Sequence, residues 1–227
     1  MKQQIKNNKF LVKILMCICR IFRYNKFKIK GKNTVKIEGV QKRGNVCIKG
    51  NNNSLIIKNP QCNMDFTCLI LGNNNKILVE DGCILKNLYI CIEEDNNEII
   101  INKDTMICGK TEMYCLEGSK INIGESCLFS SNVYFTTSDR HSILDIDGKR
   151  INKPGDIIVK DHVWLGYGST LLKGVMVEEH NIVGTHSVIT KSIMKKGCVV
   201  AGNPAKIVKE NINWDKTRFP ISNANGQ

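Results

Sequence analysis

From Val159 the chain places an aliphatic residue at every sixth position: Val159, Leu165, Leu171, Val177, Val183 and Ile189. A period of six belongs neither to an α-helix, which repeats near 3.6, nor to an ordinary strand, which repeats at two. It suits a triangular prism, with one short strand and one turn to each side and the aliphatic side chains stacked inward coil upon coil. Upstream the repeat lengthens to 22 residues. Leu55, Ile77, Ile99 and Ile121 hold one phase, and Ile57, Val79, Ile101 and Ile123 another. Asn52, Asn74, Asn96 and Gly118 share a third phase; Cys83, Thr105 and Cys127 share a fourth. Each unit reads as a polar Asn-rich bend, a short β-branched strand and a small residue that turns the chain again. Asn and Gly suit the bends because both tolerate the left-handed backbone conformation. Three six-residue sides plus about four extra residues at one corner account for the longer unit. A meander of antiparallel hairpins would also use Asn-rich bends, but the later six-residue phase has no need of hairpins. The expected fold is all-β, a single solenoid.

Composition changes this picture little. A solenoid grows by adding coils, so 227 residues need no second core. Aromatic residues make up 6% of the chain, as a narrow prism filled with Ile, Val, Leu and Cys requires. The eleven cysteines stand singly in strand-like segments, with no CxxC pair and no zinc-knuckle spacing. They read as small, reduced core hydrophobes in a cytoplasmic protein. Phe10 to Phe22 is mostly apolar but carries Lys13 and Arg20. It lies among further basic residues, is too short to span a bilayer and is followed by no small-residue cleavage site. Residues 1–30 therefore read as a basic amphipathic segment with a short helix. That helix either caps the open end of the solenoid or, through residues 9–28, lies on an anionic membrane surface at the inner face. The β-helix spans residues 31–208, and an irregular tail covers 209–227. The net charge of +12 comes without a helix-turn-helix pattern, a Cys/His finger or an aromatic RNA-binding motif, so nucleic acid is not the expected partner. No glycine-rich phosphate loop is present either; any phosphate site must use lysines and turn amides.

Two interruptions of the repeat are the places for chemistry. Residues 136–156 leave the aliphatic phase, which returns at Ile157. An excursion of about twenty residues from a regular solenoid is usually functional or disordered. It contains Ser138-Asp139-Arg140-His141-Ser142-Ile143. A loop imidazole, titrating near neutrality, is a candidate general base, although a lone surface histidine is often inert. The second interruption is Val199-Val200-Ala201-Gly202-Asn203-Pro204-Ala205-Lys206, where Gly, Asn and Pro in succession stop the coil.

Several segments together carry a resemblance. Asp156 to Gly166 reads DIIVKDHVWLG and Leu171 to Val175 reads LLKGV; Val183 to Val188 reads VGTHSV and Ala201 to Lys206 reads AGNPAK. With these the chain resembles the hexapeptide-repeat acyltransferases over roughly residues 135–208. Its Ser-Asp-Arg-His-Ser-Ile loop is similar to that of O-acetyltransferases acting on capsule, lipopolysaccharide and sialylated glycans. The resemblance implies a left-handed parallel β-helix, a homotrimer, and acetyl-CoA bound in a groove between adjacent prisms. It implies His141 as the base that takes a proton from the acceptor hydroxyl, with direct attack on the thioester. Asp139 and Asp145 are the two candidates for orienting it. Trp164, with Ser138 and Arg140, would line the acceptor or thioester pocket. Gly166 and Gly184, with Thr185, would let the pantetheine arm approach; Asn203, Pro204 and Lys206 would meet the adenine-phosphate end. Lys160, Leu172 and Glu178 depart from the family pattern, which often has Gly after the inward aliphatics, and imply a narrower or shifted groove. The helical domain of serine acetyltransferases and the nucleotide-binding domain of bacillosamine-type enzymes are not seen.

Three alternatives remain open. Transfer to the amine of an amino sugar would use the same fold, donor and histidine. A non-catalytic solenoid could bind glycan or protein on its flat faces. A zinc enzyme would need three converging ligands with an open fourth position. His162 and His180 are one 18-residue coil apart, but His186 falls on the next side of the prism, so no metal is expected.

Overall fold

The structure is a computed structural model that describes residues 25–39 and 41–220. Residues 1–24, which carry the proposed cap or membrane-surface helix, lie outside the described residues. Among the described residues there are twenty-four strands and no helix, from β1 (Lys26–Lys30) to β24 (Ala205–Lys209). The first strand thus begins inside the segment read as the basic N-terminal element. Up to β22 (Val188–Ile189) every third strand joins the same sheet. Eight lie in sheet A, beginning with β1, and seven in sheet B, beginning with β2 (Thr34–Ile37). Nine lie in sheet C, which begins with β3 (Gln41–Lys42) and ends with β24. One strand from each sheet makes a coil. The neighbours in each sheet pair in parallel until the final pair, β23 (Val199–Gly202) with β24. The chain is a left-handed parallel β-helix of three faces, not a meander of hairpins.

Both repeats are read out as core columns. Leu55, Ile77, Ile99, Ile121 and Ile157 are register partners on successive coils, as are Ile57, Val79, Ile101, Ile123, Val159 and Val177. The six aliphatics of the later phase are all buried. Coils of 22 residues lie before the excursion and coils of 18 after it, as the pairings Ile99↔Ile121 and Ile158↔Met176 show. The extra residues of the longer coil sit at the corner between sheets A and B. There Asn52, Asn74, Asn96 and Gly118 adopt positive φ and turn the chain.

The residue after each turning Asn folds inward, and a ladder of amides results. Asn53 donates from its main-chain N and its Nδ2 to Asn33 Oδ1; Asn75 does the same to Asn53, and Asn97 to Asn75, all at 2.8–3.1 Å. Ser119 N continues it to Asn97 Oδ1 at 3.1 Å, and Ser119 Oγ donates to Thr137 Oγ1 at 2.6 Å. A buried amide that gives and takes on both sides avoids the penalty of an unpaired polar group. The ladder ends on Thr137, where the excursion starts.

The C-terminal segment is less irregular than its sequence suggests. Strand β24 folds back antiparallel on β23. Ile212 N then donates to Gly197 O at 2.9 Å, and buried Trp214 donates from Nε1 to His162 O at 2.9 Å. Among the described residues no helix is long and apolar enough to cross a membrane.

Candidate active site

The excursion leaves sheet A after β16 (Val133–Thr136) and enters sheet B at β17 (Ile157–Val159), so it replaces the Asn-rich bend at the A–B corner. It is held by polar contacts. Asn152, itself buried, is the hub. Its Oδ1 accepts from Ile143 N at 2.8 Å and from Arg150 Nε at 3.1 Å. Its Nδ2 donates to Asp139 Oδ2 and to the carbonyl of His141, each at 2.8 Å. Arg150 also forks onto Glu117 at 2.6 and 2.9 Å, and the buried Ser138 hydroxyl donates to the same carboxylate. Bidentate guanidinium–carboxylate pairs of this kind fix geometry as well as charge. Arg150, then Ser138, hold the Glu117 carboxyl below its ordinary range. His141 itself is exposed, its main chain fixed at both ends: its N donates to Asp139 O at 2.7 Å and its O accepts from Asn152.

Neither acidic candidate orients the imidazole here. The Asp139 carboxylate accepts from Lys173, one coil on, and from Asn152; the lysine first, then the amide, keep it below the usual carboxylate range. Asp145 caps its own turn, accepting from Asp147 N at 3.1 Å and Lys149 N at 2.8 Å. Asp139 thus braces the loop that carries His141, and Asp145 shapes the hairpin beyond it. That hairpin, closed by a bridge between Leu144 and Arg150, exposes Ile143, Leu144, Ile146 and Ile151.

The other expected residues lie elsewhere on the prism. Trp164 is in β18 (Trp164–Leu165), facing outward on sheet C, the side opposite the A–B corner. Gly166 and Gly184 stack at the C–A corner, with Thr185 exposed beside them. Coil stacking alone requires a glycine at 166: a Cβ there would come within 2.7 Å of Val183 O and 2.9 Å of Thr185 N. At Gly184 a Cβ would sit 3.2 Å from that of Ala201. The backbone of the next coil thus accounts for Gly166 without a pantetheine arm. Asn203 and Pro204 are exposed in the turn from β23 to β24, and Lys206 is exposed within β24 itself. His162 and His180 meet at the B–C corner, Nδ1 to Nδ1 at 2.9 Å, while His186 sits at the C–A corner against Tyr167. Among the described residues no three or more His, Cys, Asp or Glu side chains converge as metal ligands.

No protein-family model matches the chain. Over 171 residues, 75% of this chain and 79% of the relative, it is 35% identical to a polysialic acid O-acetyltransferase of Neisseria meningitidis. The chain belongs to the hexapeptide-repeat acetyltransferases. A second polysialic acid O-acetyltransferase, from Escherichia coli O1:K1 / APEC, is 38% identical over 98 residues, 43% of this chain and 32% of its own length. Two solved structures agree in fold. The polysialic-acid-specific acetyltransferase NeuO superposes with a TM-score of 0.63 at 28% identity, over 88% of this chain and 93% of that one. The polysialic acid O-acetyltransferase OatWY does so with a TM-score of 0.61 at 30% identity, over 88% and 91%.

For this acetyltransferase the sequence motifs fall into three separate places on one prism: His141, Asp139, Ser138 and Arg140 at the A–B corner, Trp164 on sheet C, and Gly166, Gly184 and Thr185 at the C–A corner. Asn152, Glu117 and Lys173 were not singled out from sequence. Asn152 lies in a polar stretch with no local signature, and Glu117 and Lys173 are 21 and 34 residues from their partners Ser138 and Asp139. Their alignment follows from coil register, which periodicity does encode.

Proposed function

We propose that the chain transfers an acetyl group from acetyl-CoA to a hydroxyl of an acidic capsule glycan, a sialylated chain above all, with His141 as general base. The observation that carries this reading is the 35% identity to the meningococcal polysialic acid O-acetyltransferase across three quarters of the chain. His141 suits the role because its loop interrupts an otherwise regular run of coils and its backbone is fixed while its ring stays accessible. In the reaction the imidazole takes the acceptor proton as the oxygen attacks the thioester carbonyl carbon. The carbon–sulfur bond breaks, and the proton passes to the departing thiolate. A positioned base contributes typically about 10²–10⁴-fold.

We further propose that the working unit is a homotrimer with acetyl-CoA between adjacent prisms. Two features support it. His141 and Trp164 lie on opposite sides of one prism, so only a neighbouring copy can bring them to one substrate. The rigid hairpin also presents four exposed aliphatics, which favour burial against another subunit. Thr185, Asn203 and Lys206 would hold the phosphate-bearing end of the donor, Lys206 as a point charge. Phe27 and Ile29 continue the buried column of Val46 and Ile48 onto the first coil and stay exposed there, with Lys26 and Lys28 on the alternate face; a basic N-terminal segment would cover them, as an end cap or at the inner face of a cytoplasmic membrane.

The test is thiol release from acetyl-CoA by the purified protein with sialylated and neutral glycans, beside His141→Ala. Release that depends on a sialylated acceptor and falls at least about 100-fold in the variant is the expected result. A base-stable product would mean an amide and move the reading to amino-sugar N-acetylation. Absence of both release and acetyl-CoA binding would remove the enzymatic reading.

A further inference from the structure

Sheet A carries an aromatic ladder on its outer face, directly below the excursion. Tyr89 in β10 (Leu88–Glu93), Tyr114 in β13 (Thr111–Leu116) and Tyr134 in β16 stand on three successive coils. Their ring centres are 5.7 Å and 5.4 Å apart, and all three rings are partly exposed. Arg140, the residue before His141, is turned back over them. Its φ is positive, its N donates to Ser138 Oγ at 3.0 Å, and its guanidinium lies 4.5 Å from the centre of the Tyr114 ring. Its ion partner, Glu93, is 3.9 Å away, and 40% of the arginine side chain remains accessible.

We propose that Tyr89, Tyr114, Tyr134 and Arg140 form an acceptor track that seats successive residues of an acidic glycan alongside His141. This rests on the O-acetyltransferase reading and names which surface holds the acceptor. Three rings one coil apart span about 10 Å along the prism axis, the length of roughly two sugar residues. Pyranose rings present C–H faces that stack on aromatic rings, and a tyrosine holds its platform with two torsions, so little entropy is lost. The guanidinium fork matches a sugar carboxylate. Burial, the leading cause in both, raises Tyr89 to about 12 and pushes Tyr114 up as well, so these two phenols stay neutral. They offer hydrogen bonds to hydroxyls without repelling a polyanion. Of the acidic groups bordering the ladder, Glu112 is paired with Lys110 at 3.2 Å, and Glu93, 3.9 Å from Arg140, would share the guanidinium with the glycan carboxylate. The accessible guanidinium of Arg140 and the run of the ladder toward His141 favour a glycan over a flat protein contact.

The experiment compares the full chain with Tyr89→Ala and Tyr89→Phe, Tyr89 being the ring farthest from His141 along the track. Acetyl transfer is measured on short and long sialic acid oligomers, with direct oligomer binding and sedimentation in parallel. The expected result is a KM for the long oligomer raised about tenfold in Tyr89→Ala and largely restored in Tyr89→Phe. KM for acetyl-CoA and for the short oligomer, kcat and the assembly state stay as in the unaltered chain. An unchanged KM for the long oligomer, an equal rise for both lengths, or dissociation of the assembly overturns the track; the last would make the ladder a subunit contact. If no oligomer is acetylated, the O-acetyltransferase reading fails by itself. Binding of the long oligomer that Tyr89→Ala does not weaken then refutes the track separately.

Discussion

Asn152 shows how one side chain can fix a loop that no repeat supports. Its amide has two donors and an acceptor with two lone pairs, and all four are engaged: with Asp139, the His141 carbonyl, Ile143 N and Arg150. Asn152→Ala leaves those partners unsatisfied in a buried place. The expected loss is about 1–3 kcal/mol of stability, seen in denaturant unfolding, together with a fall in kcat while KM for acetyl-CoA holds. A fall in stability with kcat intact would mean that the hub does not position His141. Nothing in the sequence marks this asparagine, because its role exists only once residues 139 and 152 fold onto each other. His162 makes a residue-scale prediction about pH. Burial first, and then the neighbouring His180, push its pKa down, while the Trp214 ring stacks on it at 4.1 Å with 5° between planes. Asp215 tempers the effect without reversing its direction, and Glu179 faces the neighbouring His180 at 3.7 Å. An unfolded imidazole titrates near 6.5, so the unfolded chain binds the proton first as pH falls. Stability therefore declines from about pH 6.5 downward, and not above. Tryptophan fluorescence during unfolding should show the decline, and His162→Phe should flatten it.

At the scale of the element, the coils were legible because a hydrophobic column imposes its period on the sequence. The 22-residue phases named the core positions, and Asn52, Asn74 and Asn96 named the left-handed corners. The neighbouring Asn53, Asn75 and Asn97 carry a different load. They sit inside, each bonded to the coil on either side. Asn75→Ala breaks the ladder at its centre and is expected to destabilise the chain by about 1–3 kcal/mol. Asn74→Gly, at an exposed left-handed corner, should stay within about 0.5 kcal/mol. Equal effects in thermal or urea unfolding would show that the ladder is not what ties the corners together. The tail was less legible. The antiparallel turn of β24 and the docking of Trp214 follow from tertiary contacts with sheet C and the B–C corner, which no local pattern in residues 209–220 announces.

On the scale of the whole molecule, the position of the motifs argues more strongly than their presence. A three-sided prism cannot bring its A–B corner to its own sheet C, so His141 and Trp164 of one chain cannot border one substrate together. If each site takes His141 from one copy and Trp164 from the next, two inactive variants can repair each other. His141→Ala lacks the base and Trp164→Ala lacks the pocket wall, yet a site between a Trp164→Ala copy and a His141→Ala copy can contain both intact groups. Co-refolding equal amounts and random assembly into closed rings should restore about one quarter of the sites. Mixing without subunit exchange should restore none. Ile146→Glu, at the exposed tip of the hairpin, should shift sedimentation toward the monomer and abolish the recovery. Each single variant must first be shown to be inactive and assembled. Recovery near one quarter then assigns the site to two neighbouring chains. No recovery in mixed assemblies of sound folding would mean that the two side chains do not meet in one site, with Trp164 acting through its packing against Trp214.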